Sequence, residues 1–532
     1  MPGFLKAIRE AAAAAPVNQD LVFTRRKLWD DIERTLWALE TAQNHFEQAT
    51  EPSLIDCYIY EWNAAQLRYQ FLLRKFKTDN MSTWYEQAIF YHMYPLGITG
   101  APKINVQTEV TDRFKELDQW IPHIRSLGCN AIYIGPLFES SSHGYDTRDY
   151  KLVDRRLGTN DDFREFTKLC HENGIKVVVD GVFNHTGREF FAFKDIQEKK
   201  WDSPYKDWYK GVNFGWQSPL GDPFGYEAWQ GHFELPCLNL YNQQVKDYLF
   251  DVIRFWVDEF DIDGIRLDCA NILDFNFMKE MRAKTASMKP DFWLMGEVIH
   301  GDYSRWVNPE MLHSVTNYEL HKSIYSGFND HNFFEIAHNV RRLEAIGRQL
   351  YTFLDNHDED RIASKLKVKE HLYPVYTCLM TLPGIPSIYY GGEWGTEGKR
   401  TSTCDDDLRP CIPAEKIPEL NCELTDFISR LGKIHEENEE LHTGKYQELL
   451  LTNRQYAYAR WGNNSLIITA LNNDDNEATL NIPVPIQAQT AVDLLNSDNE
   501  TCENNVLPVQ NGRLEIKLKG NWGAVLKIKG EN

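Results

Sequence analysis

The chain has 532 residues, a length that suits about two to four domains with sizeable cores. Its formal net charge of -21 argues against a nucleic-acid partner, which would need a basic surface, and it suits a neutral ligand. The 15 Trp and 25 Tyr residues fit a surface that stacks on sugar rings, but they fit a large hydrophobic core equally well.

The cysteines and the N-terminus indicate in which cellular compartment the protein is found. The 10 cysteines are scattered singly, without a C-x-x-C pair, which is the pattern of neither a zinc site nor a disulfide scaffold. Free thiols are typical of a reducing environment. The first residues lack the apolar core of a secretion signal, and no apolar window reaches membrane-spanning length. We therefore predict a cytoplasmic protein without a membrane partner.

We predict that residues 1–80 form a helical N-terminal segment. Apolar residues recur at helical spacing on both sides of the turn-like stretch 51–53, which favours two amphipathic helices in a hairpin. Such a hairpin either docks on the following domain or joins two copies of the chain as a homo-oligomer. The apolar residues that define the two helices are Leu28, Ile32, Leu36, Leu39, Phe46, Ile55, Ile59, Trp62, Leu72 and Phe76.

From about Trp84 the pattern changes to short apolar runs that alternate with amphipathic segments. This alternation is typical of an α/β fold, and eight such runs predict a parallel (β/α)8 TIM barrel over 81–183 and 240–443. Helices are expected at Asp112–Leu127 and Asp161–Glu172. The eight predicted strands are Ala88–Tyr91, Ala131–Ile134, Lys176–Val182, Asp263–Leu267, Trp293–Glu297, Ser314–Asn317, Leu350–Leu354 and Ser387–Tyr390.

Two regions depart from the barrel pattern. After the third strand, residues 184–239 carry many aromatic, Gly and Pro residues without a clear helix, which predicts a subdomain that walls a cleft. Residues 444–532 contain short β-like runs separated by Asn and Asp turns, which predicts a C-terminal antiparallel β-sandwich. The runs assigned to the sandwich are Tyr456–Trp461, Ser465–Leu471, Ala478–Ile482, Arg513–Leu518 and Ala524–Ile528.

Charged and polar residues cluster at the ends of four predicted barrel strands. In a TIM barrel these ends converge on one face, where active sites are built. Each position alone has an ordinary explanation, such as a helix cap, a turn or an ion pair that caps a strand, but four separate accidents are improbable. The four strand ends contribute Asp180, Asn184 and His185; Arg266 and Asp268; Glu297; and His357 and Asp358.

Three carboxylates in one site suit glycoside hydrolysis, which needs a nucleophile and an acid. Asp268 lies two residues after Arg266, on the same face of the strand, so the guanidinium favours its ionised form and makes it the candidate nucleophile. Glu297 follows apolar residues and lies near other carboxylates, which favours the protonated form of an acid. Asp358 is then expected to hold sugar hydroxyls, with His185 and His357 as hydrogen-bond partners or as support.

These motifs are similar to the four signatures of the α-amylase superfamily of glycoside hydrolases, family 13. The signatures read D-G-V-F-N-H, G-I-R-L-D-C-A-N, G-E-V-I-H and F-L-D-N-H-D in this chain. The resemblance implies a long third loop, called domain B, and a C-terminal sandwich. It also implies Asp268 as nucleophile, Glu297 as acid/base and Asp358 as transition-state stabiliser, with His185, Arg266 and His357 around the cleaved sugar.

Further segments resemble the same superfamily. Gly144–Thr147 is similar to its stacking-tyrosine segment, which implies Tyr145 under the sugar ring; the alternative is a turn residue. Asp405 and Arg409 have the spacing of a sugar-binding pair, or else form a surface ion pair. C-A-N, E-V-I-H and residues 235–239 are similar to cyclomaltodextrinases, neopullulanases and maltogenic amylases, although those enzymes usually carry an N-terminal β-sandwich where this chain is helical.

We predict that the protein requires no cofactor and that none of its site residues is a metal ligand. A calcium ion is left open, since Asn184 matches a position that ligates calcium in many α-amylases. One Asn is a poor set of ligands for an ion that prefers several oxygens.

The leading hypothesis is a retaining hydrolase that cuts α-1,4 bonds of maltooligosaccharides or cyclodextrins. A 4-α-glucanotransferase or another transglycosylase on maltodextrins is the alternative, because both reactions use the same three carboxylates. A non-catalytic binding subunit is the third option, which the presence of all three carboxylates disfavours.

Overall fold

The computed structural model of the chain describes residues 83–106, 108–401, 404–496 and 505–530, together with isolated positions between residues 31 and 68. The chain divides into two compact units, Met1–Thr83 and Trp84–Asn532. No helix among the residues so described is both long and apolar enough to cross a membrane.

The first unit is helical at its described positions, apart from the bend at Glu51 and the irregular Thr83. The ring of Phe46 stacks on that of Trp62 with centroids 6.2 Å apart, and His45 lies 5.1 Å from Tyr58. These contacts join the segments before and after the turn, so the predicted helical hairpin is confirmed where it can be seen. The predicted apolar positions Leu28, Ile32, Leu36, Leu39, Leu72 and Phe76 lie outside the described residues.

Eight parallel strands form the barrel of the second unit, as predicted. The strands are β1 (Phe90–Met93), β2 (Ala131–Ile134), β3 (Lys176–Gly181), β4 (Gly264–Leu267), β5 (Trp293–Gly296), β6 (Ser314–Val315), β7 (Tyr351–Phe353) and β8 (Ile385–Tyr389). Their order in the sheet is β6-β5-β4-β3-β2-β1-β8-β7, and a parallel bridge between Thr316 and Tyr351 connects the two ends into a ring. The predicted strand positions are confirmed to within about two residues at either end.

Helices follow most of the strands. The predicted helix Asp112–Leu127 is in fact two short helices, because Pro122 at the start of the second has no amide hydrogen to continue the first. The α-helices of five or more residues in this unit are α1 (Phe114–Asp118), α2 (Ile121–Ser126), α3 (Asn160–Glu172), α4 (Phe191–Lys199), α5 (Gln243–Phe260), α6 (Phe275–Met288), α7 (Tyr318–Asn329), α8 (Phe333–Arg342), α9 (Leu372–Thr381), α10 (Glu423–Glu437) and α11 (Glu439–Thr443).

Alternation along the strands separates the barrel interior from the helix layer. In β4, Ile265 and Leu267 belong to the large core that includes the helices, so Arg266 between them points into the barrel. A separate aromatic cluster fills the interior, where Phe90 stacks on Trp293 with ring centroids 4.9 Å apart. The interior is therefore densely packed with side chains, and the polar cluster described below lies at the carboxyl ends of the strands.

The excursion between β3 and α5 contains more regular structure than predicted. The expectation of no clear helix was wrong, because α4 begins directly after Phe190 and buries Ala192, Phe193 and Ile196. The strands Ala228–Trp229 and His232–Pro236 then form a hairpin. A second hairpin, Phe138–Ser140 with Thr147–Val153, follows β2.

The C-terminal part is antiparallel, as predicted, and its sheet order is β9-β10-β11-β16-β13-β14-β15-β12. Three of its strands were not predicted. The run Lys445–Leu451 lacks strict alternation, Thr490–Asp493 is short, and Val506–Gln510 contains a Pro, so none has a clear strand pattern. The strands are β9 (Lys445–Leu451), β10 (Gln455–Trp461), β11 (Ser465–Asn472), β12 (Ala478–Pro483), β13 (Thr490–Asp493), β14 (Val506–Gln510), β15 (Arg513–Leu518) and β16 (Trp522–Lys529).

Candidate active site

Arg266 is the centre of the polar cluster at the carboxyl ends of the strands. Its Nη1 lies 2.8 Å from Asp180 Oδ1 and 2.9 Å from Asp268 Oδ1, and its Nη2 lies 2.9 Å from Glu297 Oε2. The three acidic residues come from three neighbouring strands, β3, β4 and β5. A single buried guanidinium thus holds three carboxylates at fixed positions, as a planar fork of donors allows.

Asp268 and Glu297 face each other across a short gap. One carboxylate oxygen of each, together with the sulfur of Cys269, lies within 4.8 Å of the others. Asp268 is 6% exposed and Glu297 is 8% exposed, so both carboxylates are largely shielded from water. This separation suits a pair that acts on one bond directly, because retaining glycosidases have carboxyl groups about 5 to 5.5 Å apart.

The backbone after β4 sets the position of Glu297. Cys269 adopts a left-handed conformation with a φ of 49°, and its N–H donates to Glu297 Oε2 over 3.0 Å. Burial raises the pKa of Glu297; Arg266 opposes the shift, and the negative charges of Asp268 and Asp358 add to it. The direction of this shift favours the protonated form of Glu297 and agrees with the expectation from the sequence, while its role as an acid stays a prediction.

Asp358 lies on the other side of the cleft in a cationic setting. Its carboxylate contacts His357 Nε2 at 3.1 Å and Arg409 Nη2 at 3.0 Å. Burial opposes the shift, but contact with His357 and the charges of Arg409 and Arg266 hold the pKa of Asp358 far below its usual range. The loop before it is fixed by Asn356, whose side chain accepts the N–H of Asp358 over 2.9 Å.

Tyr145 belongs to the cluster and is not an isolated turn residue. Its hydroxyl donates to Asp180 Oδ2 over 3.0 Å and lies 2.6 Å from His357 Nε2. Its ring also stacks on that of His357, with centroids 5.6 Å apart, while Tyr94 stacks on the same imidazole at 5.9 Å. The half-buried ring of Tyr145 thereby forms part of the floor of the cleft.

His185 and the excursion after β3 line another side. Burial lowers the pKa of His185 to about 3, so the ring is neutral, and its Nε2 has no hydrogen-bond partner among the described residues. The indole of Trp229 lies 5.8 Å from the imidazole, and its Nε1 is likewise buried without a partner among those residues. These two ring nitrogens are groups that could bond to hydroxyls of a ligand.

Asp405 and Arg409 reach the same site from the loop after β8. Arg409 Nη2 lies 2.7 Å from Asp405 Oδ2 and also contacts Asp358, so the pair is connected to the carboxylate cluster. Its guanidinium also covers the ring of Tyr94 at 4.6 Å. His185 is hydrogen-bonded to the backbone of Tyr145, so the structure brings together all nine predicted site residues: Tyr145, His185, Arg266, Asp268, Glu297, His357, Asp358, Asp405 and Arg409.

Three further residues complete this network. Asp180, which the sequence places at a strand end without a role, binds Arg266 and the hydroxyls of Tyr133 and Tyr145, that of Tyr133 over 2.8 Å. Tyr318 Oη lies 3.5 Å from Glu297 Oε1 and accepts from Asn356 Nδ2 over 3.1 Å. The sequence did not single out Tyr318 or Asn356. Asn356 lies inside the motif F-L-D-N-H-D, which could have indicated it, whereas Tyr318 lies in no quoted motif.

The neighbours of the Asn184 side-chain nitrogen are poor ligands for calcium. This nitrogen lies 3.2 Å from His185 Nδ1 and 4.0 Å from the sulfur of Cys237, and neither atom is an oxygen of the kind that calcium prefers. The metal-capable cluster that the described residues form is Asp268, Cys269 and Glu297, where Arg266 already contacts both carboxylates. Among the described residues, the atoms beside this nitrogen therefore do not fit a calcium ion.

A family described as "Alpha amylase, catalytic domain" matches residues 114–417 of the chain, which is more than half of its length. The chain belongs to the alpha-amylase family. The family's C-terminal all-beta domain matches residues 451–529, and a family of unknown function, DUF2508, matches residues 24–83.

Relatives within the alpha-amylase family lie in the group that the motifs indicate. The cyclomaltodextrinase of Thermoanaerobacter pseudethanolicus is 34% identical over 68% of this chain and 63% of its own length. The maltogenic alpha-amylase of Bacillus acidopullulyticus is 30% identical over 84% of this chain and 78% of its own. A solved cyclomaltodextrinase structure, 26% identical, superposes with a TM-score of 0.72 over 84% of this chain and 78% of its own.

Proposed function

We propose that the protein is a retaining glycoside hydrolase that cleaves α-1,4-glucosidic bonds of maltooligosaccharides or cyclodextrins. The observation that carries the proposal is the pair Asp268 and Glu297, whose carboxylate oxygens lie within 4.8 Å of each other. An inverting enzyme needs room for a water molecule between its carboxyl groups, which are then about 6.5 to 9.5 Å apart. The relatives named cyclomaltodextrinase and maltogenic alpha-amylase support the substrate class.

In the first step, Glu297 gives its proton to the glycosidic oxygen while Asp268 attacks the anomeric carbon. The bond between that carbon and the leaving oxygen breaks, and an ester forms between the sugar and Asp268. The raised pKa of Glu297 supports the role of acid. The ion pair with Arg266 keeps the Asp268 carboxylate in its place.

In the second step, a water molecule loses a proton to Glu297 and its oxygen attacks the anomeric carbon, which releases Asp268. Both steps pass through a positively charged sugar ring. Asp358, whose pKa is held low by its neighbours, offers a permanent negative charge beside that ring. His185, His357 and Arg409 are then hydrogen-bond partners for hydroxyls, and Tyr145 stacks beneath the sugar, as the cluster around them supports.

The experiment that tests this proposal is a product profile on maltotriose, a cyclodextrin and pullulan, side by side. We expect cleavage of maltotriose or the cyclodextrin, with the α-anomer released first when the reaction is followed by proton NMR. Release of the β-anomer would exclude retention. Products longer than maltotriose would indicate transfer to a sugar in place of water, which is the transglycosylase alternative.

A matched pair of variants connects the activity to the site. Asp268→Asn should abolish cleavage, whereas Asp251→Asn, which changes an exposed carboxylate on α5, should leave it unchanged. Equal activity of both variants would refute the assignment of Asp268.

We also propose that domain B corresponds to residues 184–239, that the catalytic barrel occupies 81–183 and 240–443, and that the protein acts in the cytoplasm. The nine described cysteines are free thiols, which supports a reducing compartment.

An oligomer formed through the first unit is supported by the exposure of Tyr60, which is 75% accessible on its helix. Light scattering of the full chain and of Tyr60→Ser tests that contact.

A further inference from the structure

A cavity of about 890 Å³ lies where the last barrel helices meet the C-terminal sheet. Its wall includes Glu437 at the end of α10, Glu439 in α11, Lys445 and Gln447 in β9, and Trp461 at the end of β10. The volume falls within the range of small-ligand pockets, which is about 300 to 1,000 Å³. The mechanism proposed above uses none of these residues.

This cavity lies at the opposite end of the barrel from the carboxylates. The helices of a TIM barrel run back from the carboxyl ends of the strands to their amino ends, and Glu437 is the last residue of α10. A helix of 15 residues is about 22 Å long at 1.5 Å per residue. The cavity and the catalytic cleft are therefore separate sites, and a short sugar cannot contact both.

The floor of the cavity is an aromatic ring held in a fixed orientation. Trp461 pairs directly with Lys445 across the two strands, so the two side chains lie on the same face, and Gln447 follows on that face two residues later. The indole Nε1 donates to Gln447 Oε1 over 2.8 Å, while the ring also packs on the core of the sheet. Trp461 is thus half-buried and restrained, and not a freely moving surface side chain.

The charges around the ring exclude some classes of ligand. Glu440 accepts from the hydroxyl of Ser465 and lies 3.7 Å from Lys527 Nζ, so its charge is already balanced. The exposed Glu437 and Glu439 outweigh the exposed Lys445, so the rim keeps a net negative charge, which disfavours anions. The loop at 462–464 adds polar backbone and amide groups at the rim.

We propose that this cavity is a second carbohydrate-binding site, which holds a stretch of α-glucan chain against Trp461. A neutral polyol with flat apolar faces suits a restrained indole surrounded by amides and carboxylates. The choice of an α-glucan over other sugars rests on the proposed function. Because the cavity is remote from the cleft, it anchors long chains and leaves the chemistry unchanged.

The experiment is affinity electrophoresis of the full-length protein in native gels that contain glycogen. The Glu297→Gln background prevents hydrolysis during the run, and Trp461→Ala is compared with Phe334→Ala, which removes an exposed aromatic ring from α8. We expect the apparent affinity for glycogen to fall about tenfold or more with Trp461→Ala and to stay unchanged with Phe334→Ala. Gln447→Ala, which removes the hydrogen bond to the indole without touching the core, should give a smaller fall.

Two outcomes would overturn the proposal. One is equal retardation of the Trp461→Ala and Phe334→Ala proteins, and the other is no retardation of the Glu297→Gln parent. In the otherwise unchanged protein, Trp461→Ala should cleave maltotriose at the normal rate. That assay reports on the proposed function separately, so a protein that cleaves maltotriose but does not bind glycogen through Trp461 would refute only the second site.

Discussion

Replacing Arg266 with Met tests whether its guanidinium stabilises the three buried carboxylates around it. The guanidinium contacts Asp180, Asp268 and Glu297, each at 2.8 to 2.9 Å, and its side chain is only 3% exposed. Met keeps much of the volume but removes the charge and all three ion pairs. The variant therefore leaves three acidic side chains in a buried cluster without their cation.

The expected loss of stability is about 3 to 5 kcal/mol at neutral pH, which is typical when one partner of a buried ion pair is removed. The second unit has roughly 450 residues, and unfolding entropy is about 2.1 cal/mol/K per residue, so the melting temperature should fall by about 3 to 5 °C. Burial already raises the pKa of Asp180 and that of Glu297, and removing Arg266 raises both further.

The pH dependence follows from these directions. A carboxyl group whose folded-state pKa is raised binds more protons in the folded protein, so stability falls as pH rises above the unfolded value near 4. The loss of unfolding free energy caused by Arg266→Met should therefore be small at pH 4.5 and large at pH 7.5. Calorimetry at both pH values measures this loss of stability, and the rate of maltotriose cleavage is a second readout.

Arg156→Met is the matched control, because Arg156 forms a fully buried pair with Asp154 over 2.7 Å outside the cleft. It should lose stability and keep its rate of cleavage, whereas Arg266→Met should lose both. The reasoning would be refuted if Arg266→Met lowered the free energy of unfolding equally at pH 4.5 and 7.5. A loss below about 1 kcal/mol at neutral pH would refute it as well.

Four further predictions concern single positions. Asp268→Asn should lower the rate of maltotriose cleavage about 10⁴-fold or more in steady-state assays, and a loss below tenfold would exclude the nucleophile role. Because Glu297 must carry a proton, the rate of the unaltered enzyme should fall as pH rises through its raised pKa, and Glu297→Gln should remove this basic limb from the pH profile. Gln230 has a φ of 48° in the two-residue turn of the hairpin after β3, so Gln230→Gly should raise the free energy of unfolding by about 0.5 to 1 kcal/mol, and a destabilised variant in denaturant titration would contradict this. Chelation with EDTA should leave both cleavage and melting temperature unchanged, since Asn184 contacts nitrogen and sulfur, and a lower melting temperature would reveal a metal site.

The sequence by itself determined the barrel, because eight apolar runs separated by amphipathic segments have few other solutions. It also determined which side chains meet, since Arg266, Glu297 and Asp358 follow strands whose carboxyl ends must converge. The helix α4 could not be predicted in the same way. It is only nine residues long and lies in a region rich in aromatic residues, so its periodicity is weak.

Only the tertiary structure decided how the groups are paired. The sequence places Arg266 beside Asp268, but the three-way contact with Asp180 and Glu297 depends on the lateral order of β3, β4 and β5. The link from Tyr318 through Asn356 to Asp358 likewise joins residues about 40 positions apart. Distances, burial and proton affinities depend on these non-local contacts, whereas residue type and strand periodicity are local properties of the chain.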